Sequence, residues 1–173
     1  GRIPMRSTVN TTPTKTQAEQ FVSKAGLTWN EKLNDRQRMV ASNALFLYSR
    51  AGSLDWDWDR FQMEYIVFDS ACSLSGDKSS TGPHGKRFLA MCDRYGLKYS
   101  RDLMKRFVGL RNDLFHEALW DLVQPTTARS SESLYASFNL RRFNHRLLTA
   151  ILSGPSEYTS SAWWYLGTAA FKL

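Results

Sequence analysis

Apolar side chains recur every three or four residues along most of this chain, and no segment alternates apolar and polar residues as a half-buried strand does. This spacing predicts helices. Asn30 is the expected N-cap of the first predicted helix and Ser100 that of the fourth. The predicted helices occupy residues 30–52, 55–76, 86–95, the stretch after Ser100, and 134–154. The predicted fold class is therefore all-α, a helical bundle of about five helices.

The two ends of the chain differ from this pattern. Residues 1–28 are rich in Thr, Ser, Asn and Gln, and too few are apolar to offset the entropy of ordering them. We expect a disordered, flexible N-terminal tail, with residues 1–4 a cloning remnant, followed by a single helical domain over 29–173. The final segment, SAWWYLGTAAFKL, is too aromatic to stay in water, so we expect it to pack on the bundle or on a second subunit.

Composition excludes several classes of protein. Of the 173 residues, 42% are hydrophobic, which is enough for a substantial core and argues against wholesale disorder. No apolar run approaches the roughly 20 residues of a membrane-spanning helix, so no membrane partner is expected. Cys72 and Cys92 lack the close spacing of a zinc-binding pair and are too few for a disulfide scaffold. We therefore expect a cytoplasmic protein with no metal and no cofactor.

The positive charge is concentrated in one stretch. The net charge is +7, and residues 84–111 carry eight basic and two acidic side chains, which accounts for +6 of it. A local basic field attracts phosphate groups and favours nucleic acid as a partner, although such a face is often only solvated. Within or beside this stretch we expect four side chains to contact RNA: Lys86, Arg87, Arg101 and Lys105.

The predicted helix after Ser100 has two different faces. A narrow apolar stripe is expected to face the core: Leu103, Phe107, Leu110 and Leu114. At 100° per residue, four polar side chains lie opposite: Arg101, Lys105, Asn112 and His116. Arg111 is offset by about 100° from Asn112, but its long side chain can swing towards that face. Gly109 is the position where the helix could break.

The segment LRNDLFHEALW, residues 110–120, resembles the signature of the HEPN superfamily, in which an arginine and a polar residue precede a histidine by a few positions. NLRRFNHRLLTAILSG and the following PSEYTSSAWWYLG are similar to the C-terminal helix and tail of the ApeA-like HEPN group. The resemblance covers residues 101–167, and residues 30–100 match only in their number of helices.

The resemblance implies a HEPN-like helical domain over 29–173 that acts as a metal-independent endoribonuclease of toxin or antiviral-defence type. Two copies would pair their Arg111–His116 faces into one cleft as a homodimer, and an antitoxin or a sensor domain is a further expected partner. The catalytic residues carried over are Arg111, Asn112 and His116. Attack by the RNA 2′-hydroxyl would leave 2′,3′-cyclic phosphate and 5′-hydroxyl ends.

The residue types suit this chemistry. Histidine has an ordinary pKa of about 6.5, which suits proton transfer near neutral pH, and arginine offers a planar fork of donors to phosphate oxygens. Asn112 would orient the imidazole or the phosphate.

Other interpretations remain open. The domain could be a catalytically silent HEPN module that binds RNA, nucleotide or a partner protein, or a helical interaction domain with an accidental match to the motif. His84 and His145 have no close partner in the sequence and are expected to be structural.

Overall fold

The computed structural model describes residues 14–76, 82–120 and 131–161, without the side chains of 131–134. Within these ranges the chain forms helices and no β-strand, which confirms the all-α prediction. The six α-helices are α1 (Lys15–Leu27), α2 (Asp35–Ala51), α3 (Asp57–Ser75), α4 (His84–Tyr95), α5 (Arg101–Asn112) and α6 (Ser131–Ser153). π-helical turns at Thr28–Lys32 and Asp113–Glu117 extend α1 and α5. The predicted packing of the aromatic C-terminal segment falls beyond Ser161, outside the described residues.

Helix α1 lies where the composition predicted a flexible tail. The structure differs there because Thr14 and Gln17 form a capping box. The Thr14 amide donates to Gln17 Oε1 at 2.8 Å, and the Gln17 amide donates to Thr14 Oγ1 at 3.3 Å. Phe21 of α1 lines a shallow cavity together with Leu152 of α6, so this helix adds to the bundle. Residues 1–13 of the predicted tail lie outside the described part.

Several predicted helix ends are confirmed, and one is corrected. Gly76 and Gly96 follow α3 and α4 in the left-handed conformation, with φ of 66° and 63°. Ser100 caps α5 through the Leu103 amide. The N-cap of α2, however, is Asn34, which accepts from the Gln37 amide at 2.9 Å. The expected cap, Asn30, lies within the preceding π-helical turn.

Helix α3 forms the centre of the bundle, packed against α2 on one side and α6 on another. It has buried residues on most of its circumference, as expected for a helix surrounded by others. Aromatic rings fill the space between α3, α4, α5 and α6: Phe61, Tyr65, Phe68, Phe88, Phe107 and Phe143. The Phe68 and Phe88 rings stack with centroids 3.9 Å apart, which fixes α4 against α3.

Helix α5 confirms the predicted two-faced arrangement. Phe107 and Leu110 are fully buried, and the helix continues through Gly109 without a break. Arg101 and Lys105 on the other face are exposed. No helix in the described part of the chain is both long and apolar enough to cross a membrane.

Candidate functional site

A π-helical turn at Asp113–Glu117 carries the predicted motif beyond the end of α5. Ala118 ends this turn in the left-handed conformation, with φ of 54°. A continuous α-helix would place residues four apart above one another, which was the expected relation of Asn112 and His116. In a π-helix the bonded residues are five apart, so the structure instead brings Arg111 beside His116. π-helical turns of this kind are frequent at functional sites.

Arg111 contacts both of the other motif side chains, Asn112 and His116. Its Nη1 donates to Asn112 Oδ1 at 3.2 Å and lies 3.1 Å from Nε2 of His116. The guanidinium also lies over the Phe115 ring, 5.0 Å from its centroid. Asn112 and His116 are exposed, and Arg111 is half-buried. The group is therefore accessible to solvent, while partial burial restrains the arginine.

A hydrogen bond between Arg111 and His116 can form with only one tautomer of the imidazole. A guanidinium has donors only, so a hydrogen bond from Arg111 requires a free lone pair on His116 Nε2. The proton of the neutral ring then resides on Nδ1. In this form Nε2 can accept a proton from a substrate hydroxyl, provided that the substrate displaces the guanidinium contact.

His84, which was expected to be structural, lies within the electrostatic reach of Arg111. It begins α4, with Nδ1 4.0 Å from Asp69 Oδ1 and its ring 5.5 Å from that of Tyr65. Burial lowers the pKa of His84, and the Arg111 charge lowers it further. Arg111 is 27 positions away in the chain, so only the packing of α4 beside α5 reveals this neighbour.

A cavity of about 580 Å³ opens between α4 and α5. It brings together three of the four side chains predicted to contact RNA: Lys86, Arg101 and Lys105. The cavity wall between these cations is apolar and includes Leu89, Met104 and Val108. An apolar wall with cations beside it has the chemical character of a site for a planar base and its phosphate groups.

Arg87, the fourth predicted RNA contact, does not line this cavity. Its Nη1 donates to Asp69 Oδ1 at 2.8 Å, and its Nε donates to the Gly82 carbonyl at 2.9 Å. Both bonds hold the side chain on the α3 side of α4. The structure therefore separates Arg87 from Lys86, although the two are adjacent in the chain.

The cavity and the motif lie along one face of α5. Arg101, Lys105, Val108 and Asn112 follow positions i, i+4, i+7 and i+11, which recur on the same side of an α-helix. A strand of RNA that enters between α4 and α5 would thus lie along the helix towards Asn112.

In the ranges that the structure describes, no group of three or more His, Cys, Asp or Glu is arranged to hold a metal ion. Both cysteines are free, and burial raises the pKa of each thiol to about 12.

Comparison with known proteins does not extend this description. No protein-family model, no curated protein and no solved structure gave a significant match to the chain. The HEPN resemblance therefore depends on the residues themselves.

Proposed function

We propose that this chain is a HEPN-type, metal-independent endoribonuclease of toxin or antiviral-defence type. One observation carries the proposal: Arg111 holds Asn112 and His116 together on an exposed surface. An exposed imidazole beside a guanidinium supplies a proton acceptor and a phosphate ligand within one helical turn.

In the proposed reaction each group has a defined role. His116 Nε2 takes the proton of the RNA 2′-hydroxyl while that oxygen attacks the adjacent phosphorus. The bond from phosphorus to the 5′-oxygen breaks, and this oxygen leaves with a proton from a second acid. Arg111 donates to the phosphate oxygens, where negative charge develops in the transition state. The products are a 2′,3′-cyclic phosphate and a 5′-hydroxyl.

Pairing of two copies would supply the second acid. If the α5 ends of two copies face one another, one His116 acts as the base and the other copy's as the acid. Phe115, 44% exposed beside Arg111, would then lie in the interface between the two copies.

Cleavage of a mixed RNA pool in EDTA tests the proposal. The proteins compared are the wild type, Arg111→Ala, His116→Ala and, as a matched control, Arg50→Ala, whose side chain is exposed on α2. We expect cyclic-phosphate ends from the wild type and the control only. Cleavage that persists in His116→Ala would contradict the proposed mechanism.

The second candidate is a catalytically silent HEPN module that binds RNA, nucleotide or a partner protein. The cavity between α4 and α5 favours it, because its apolar wall and three cations can hold a nucleotide without any chemistry. RNA binding by all four proteins with cleavage by none would select this candidate.

A further inference from the structure

Three arginines converge on one small cavity beside α6, away from the motif on α5. Arg141, Arg142 and Arg146 line a space of about 250 Å³ together with Tyr48 of α2 and Tyr158 after α6. His145 and Phe138 complete the described lining. None of these residues belongs to the cavity between α4 and α5 or to the motif.

Aromatic rings hold two of the guanidiniums in place. Arg141 lies over the Tyr48 ring at 4.0 Å, and Arg146 lies over the Tyr158 ring at 4.6 Å. Arg141 also donates to the Tyr48 carbonyl at 2.6 Å. Arg146 donates to Ser161 Oγ at 3.0 Å. These contacts preorganise the positive charge before any ligand arrives.

The positive charge of this cluster exceeds its compensation within the described residues. Glu64, fully buried, accepts from Arg141 Nη1 at 2.7 Å and from Asn144 Nδ2 at 2.8 Å. Arg146 is only 5% exposed, and its pKa is lowered by burial and by the neighbouring Arg142 charge. Burial first, and then Arg146 and Arg141, also lower the pKa of His145 to about 4. Three guanidiniums face one carboxylate, an excess of two positive charges.

Arg142 has an unsatisfied donor in this cluster. Its Nη1 is buried and has no hydrogen-bond partner among the residues that the structure describes. A buried donor without a partner is costly, and a charged one more so. Arg142 lines the cavity, so an acceptor in the cavity that reaches this nitrogen would relieve this cost and lessen the repulsion between Arg142 and Arg146.

We propose that the cavity formed by Tyr48, Arg141, Arg142, Arg146 and Tyr158 is a binding site for a terminal phosphate group. A phosphate monoester carries close to two negative charges at neutral pH, which matches the excess, and its oxygens accept from guanidinium forks. A phosphodiester carries only one. The cavity volume is below the usual range for a whole drug-sized ligand, so it holds the phosphate while the rest of the ligand lies outside.

Calorimetric titration of the full chain tests this site independently of RNA cleavage. The ligands are inorganic phosphate, adenosine 5′-monophosphate, and one short RNA with either a 5′-phosphate or a 5′-hydroxyl, all at constant ionic strength with acetate as the reference anion. The variants are Arg142→Gln, Arg142→Lys and the control Arg50→Gln. Substitution of Arg142 breaks no hydrogen bond from Nη1 to the described residues. Arg142→Lys keeps the positive charge and serves as the second variant if Arg142→Gln folds poorly.

We expect phosphate to bind more tightly than acetate. Arg142→Gln should weaken phosphate binding by about tenfold or more. Arg142→Lys should bind with intermediate affinity because it keeps the charge but loses the fork. If the nucleotide binds more tightly than the 5′-phosphorylated RNA, the ligand is a free phosphomonoester. If the 5′-phosphorylated RNA binds more tightly than the nucleotide, the ligand is an RNA end.

Three results would overturn the assignment. The first is phosphate binding no tighter than acetate. The second is equal phosphate affinity in Arg142→Gln and Arg50→Gln. The third is an equal loss on Arg142→Gln for RNA with a 5′-hydroxyl, which would mean that the cavity recognises the diester backbone instead of a terminal phosphate.

Discussion

Arg111 and His116 are five positions apart, and one π-helical turn places the guanidinium Nη1 3.1 Å from the imidazole Nε2. An α-helical continuation would have turned His116 towards Asn112 instead. The π-helical turn thus lets one arginine contact both other motif side chains. Both contacts come from one nitrogen, Nη1, which leaves the rest of the planar guanidinium fork to donate to a phosphate.

The fork leads to a first prediction. Arg111→Lys should reduce the rate of RNA cleavage by about 100-fold or more, because an ammonium group lacks the planar fork that donates to Asn112 and to phosphate oxygens together. Arg101→Lys, in the cavity between α4 and α5, should retain most of the activity. Single-turnover cleavage rates check both. A wild-type rate in Arg111→Lys would show that charge alone suffices.

Lys105 allows a second prediction, about binding. It is exposed and lines the cavity, so Lys105→Gln should remove one phosphate contact. The slope of log affinity against log salt for single-stranded RNA should then decrease in magnitude by about 0.7. Fluorescence anisotropy over a salt series measures the slope, with Arg50→Gln as the control. An unchanged slope would place the RNA elsewhere on the surface.

The sequence predicted the helices well because their ends carry local chemical signals. Gly76, Gly96 and Ser100 act through conformations and bonds within a few residues of themselves. The misplaced cap at Asn30 and the α1 region show the limit of this approach. Averaging composition over residues 1–28 concealed the capping box of Thr14 and Gln17.

The site was less predictable because much of it depends on packing. The motif residues could be selected by their spacing, but no sequence pattern reports that a π-helical turn replaces an α-helical one there. The proximity of His84 to Arg111 and the separation of Arg87 from Lys86 both depend on how α4 packs beside α3 and α5. Such long-range relations become visible only in the folded chain.

Ala118 leads to a third prediction, about stability. It is exposed with φ of 54°, a conformation that favours glycine. Ala118→Gly should therefore raise the free energy of unfolding by up to about 1 kcal/mol, whereas Ala90→Gly, inside α4, should lower it by about 1 kcal/mol. Urea denaturation measures both. Similar losses at the two positions would argue against the left-handed end of the π-helical turn.

Glu64 leads to a fourth prediction. Its fully buried carboxylate bonds Arg141 and Asn144, so Glu64→Leu should lower the free energy of unfolding by about 3–5 kcal/mol by leaving the arginine uncompensated. The double variant Glu64→Leu/Arg141→Leu should recover part of this loss. Chemical denaturation of the single and double variants forms the cycle. Additive losses would mean that the two side chains do not interact.

His145 leads to a fifth prediction, about pH. Burial lowers its pKa from an ordinary 6.5 to about 4 in the folded chain, where Arg146 and Arg141 also disfavour the imidazolium. The unfolded chain therefore binds the proton first as the pH falls. Stability from this group is complete above pH 6.5 and is lost towards pH 4, on the order of 3 kcal/mol in total.

His145→Asn should remove this part of the pH dependence. Glu64 acts in the opposite direction, because burial raises its pKa and its protonation favours the folded chain at low pH. The informative quantity is therefore the difference in unfolding free energy between wild type and variant, measured by urea denaturation at several values from pH 7 to pH 4. As the pH falls, the unfolding free energy of the wild type should decrease steadily relative to that of the variant. A constant difference would mean that His145 titrates alike in the folded and unfolded chains.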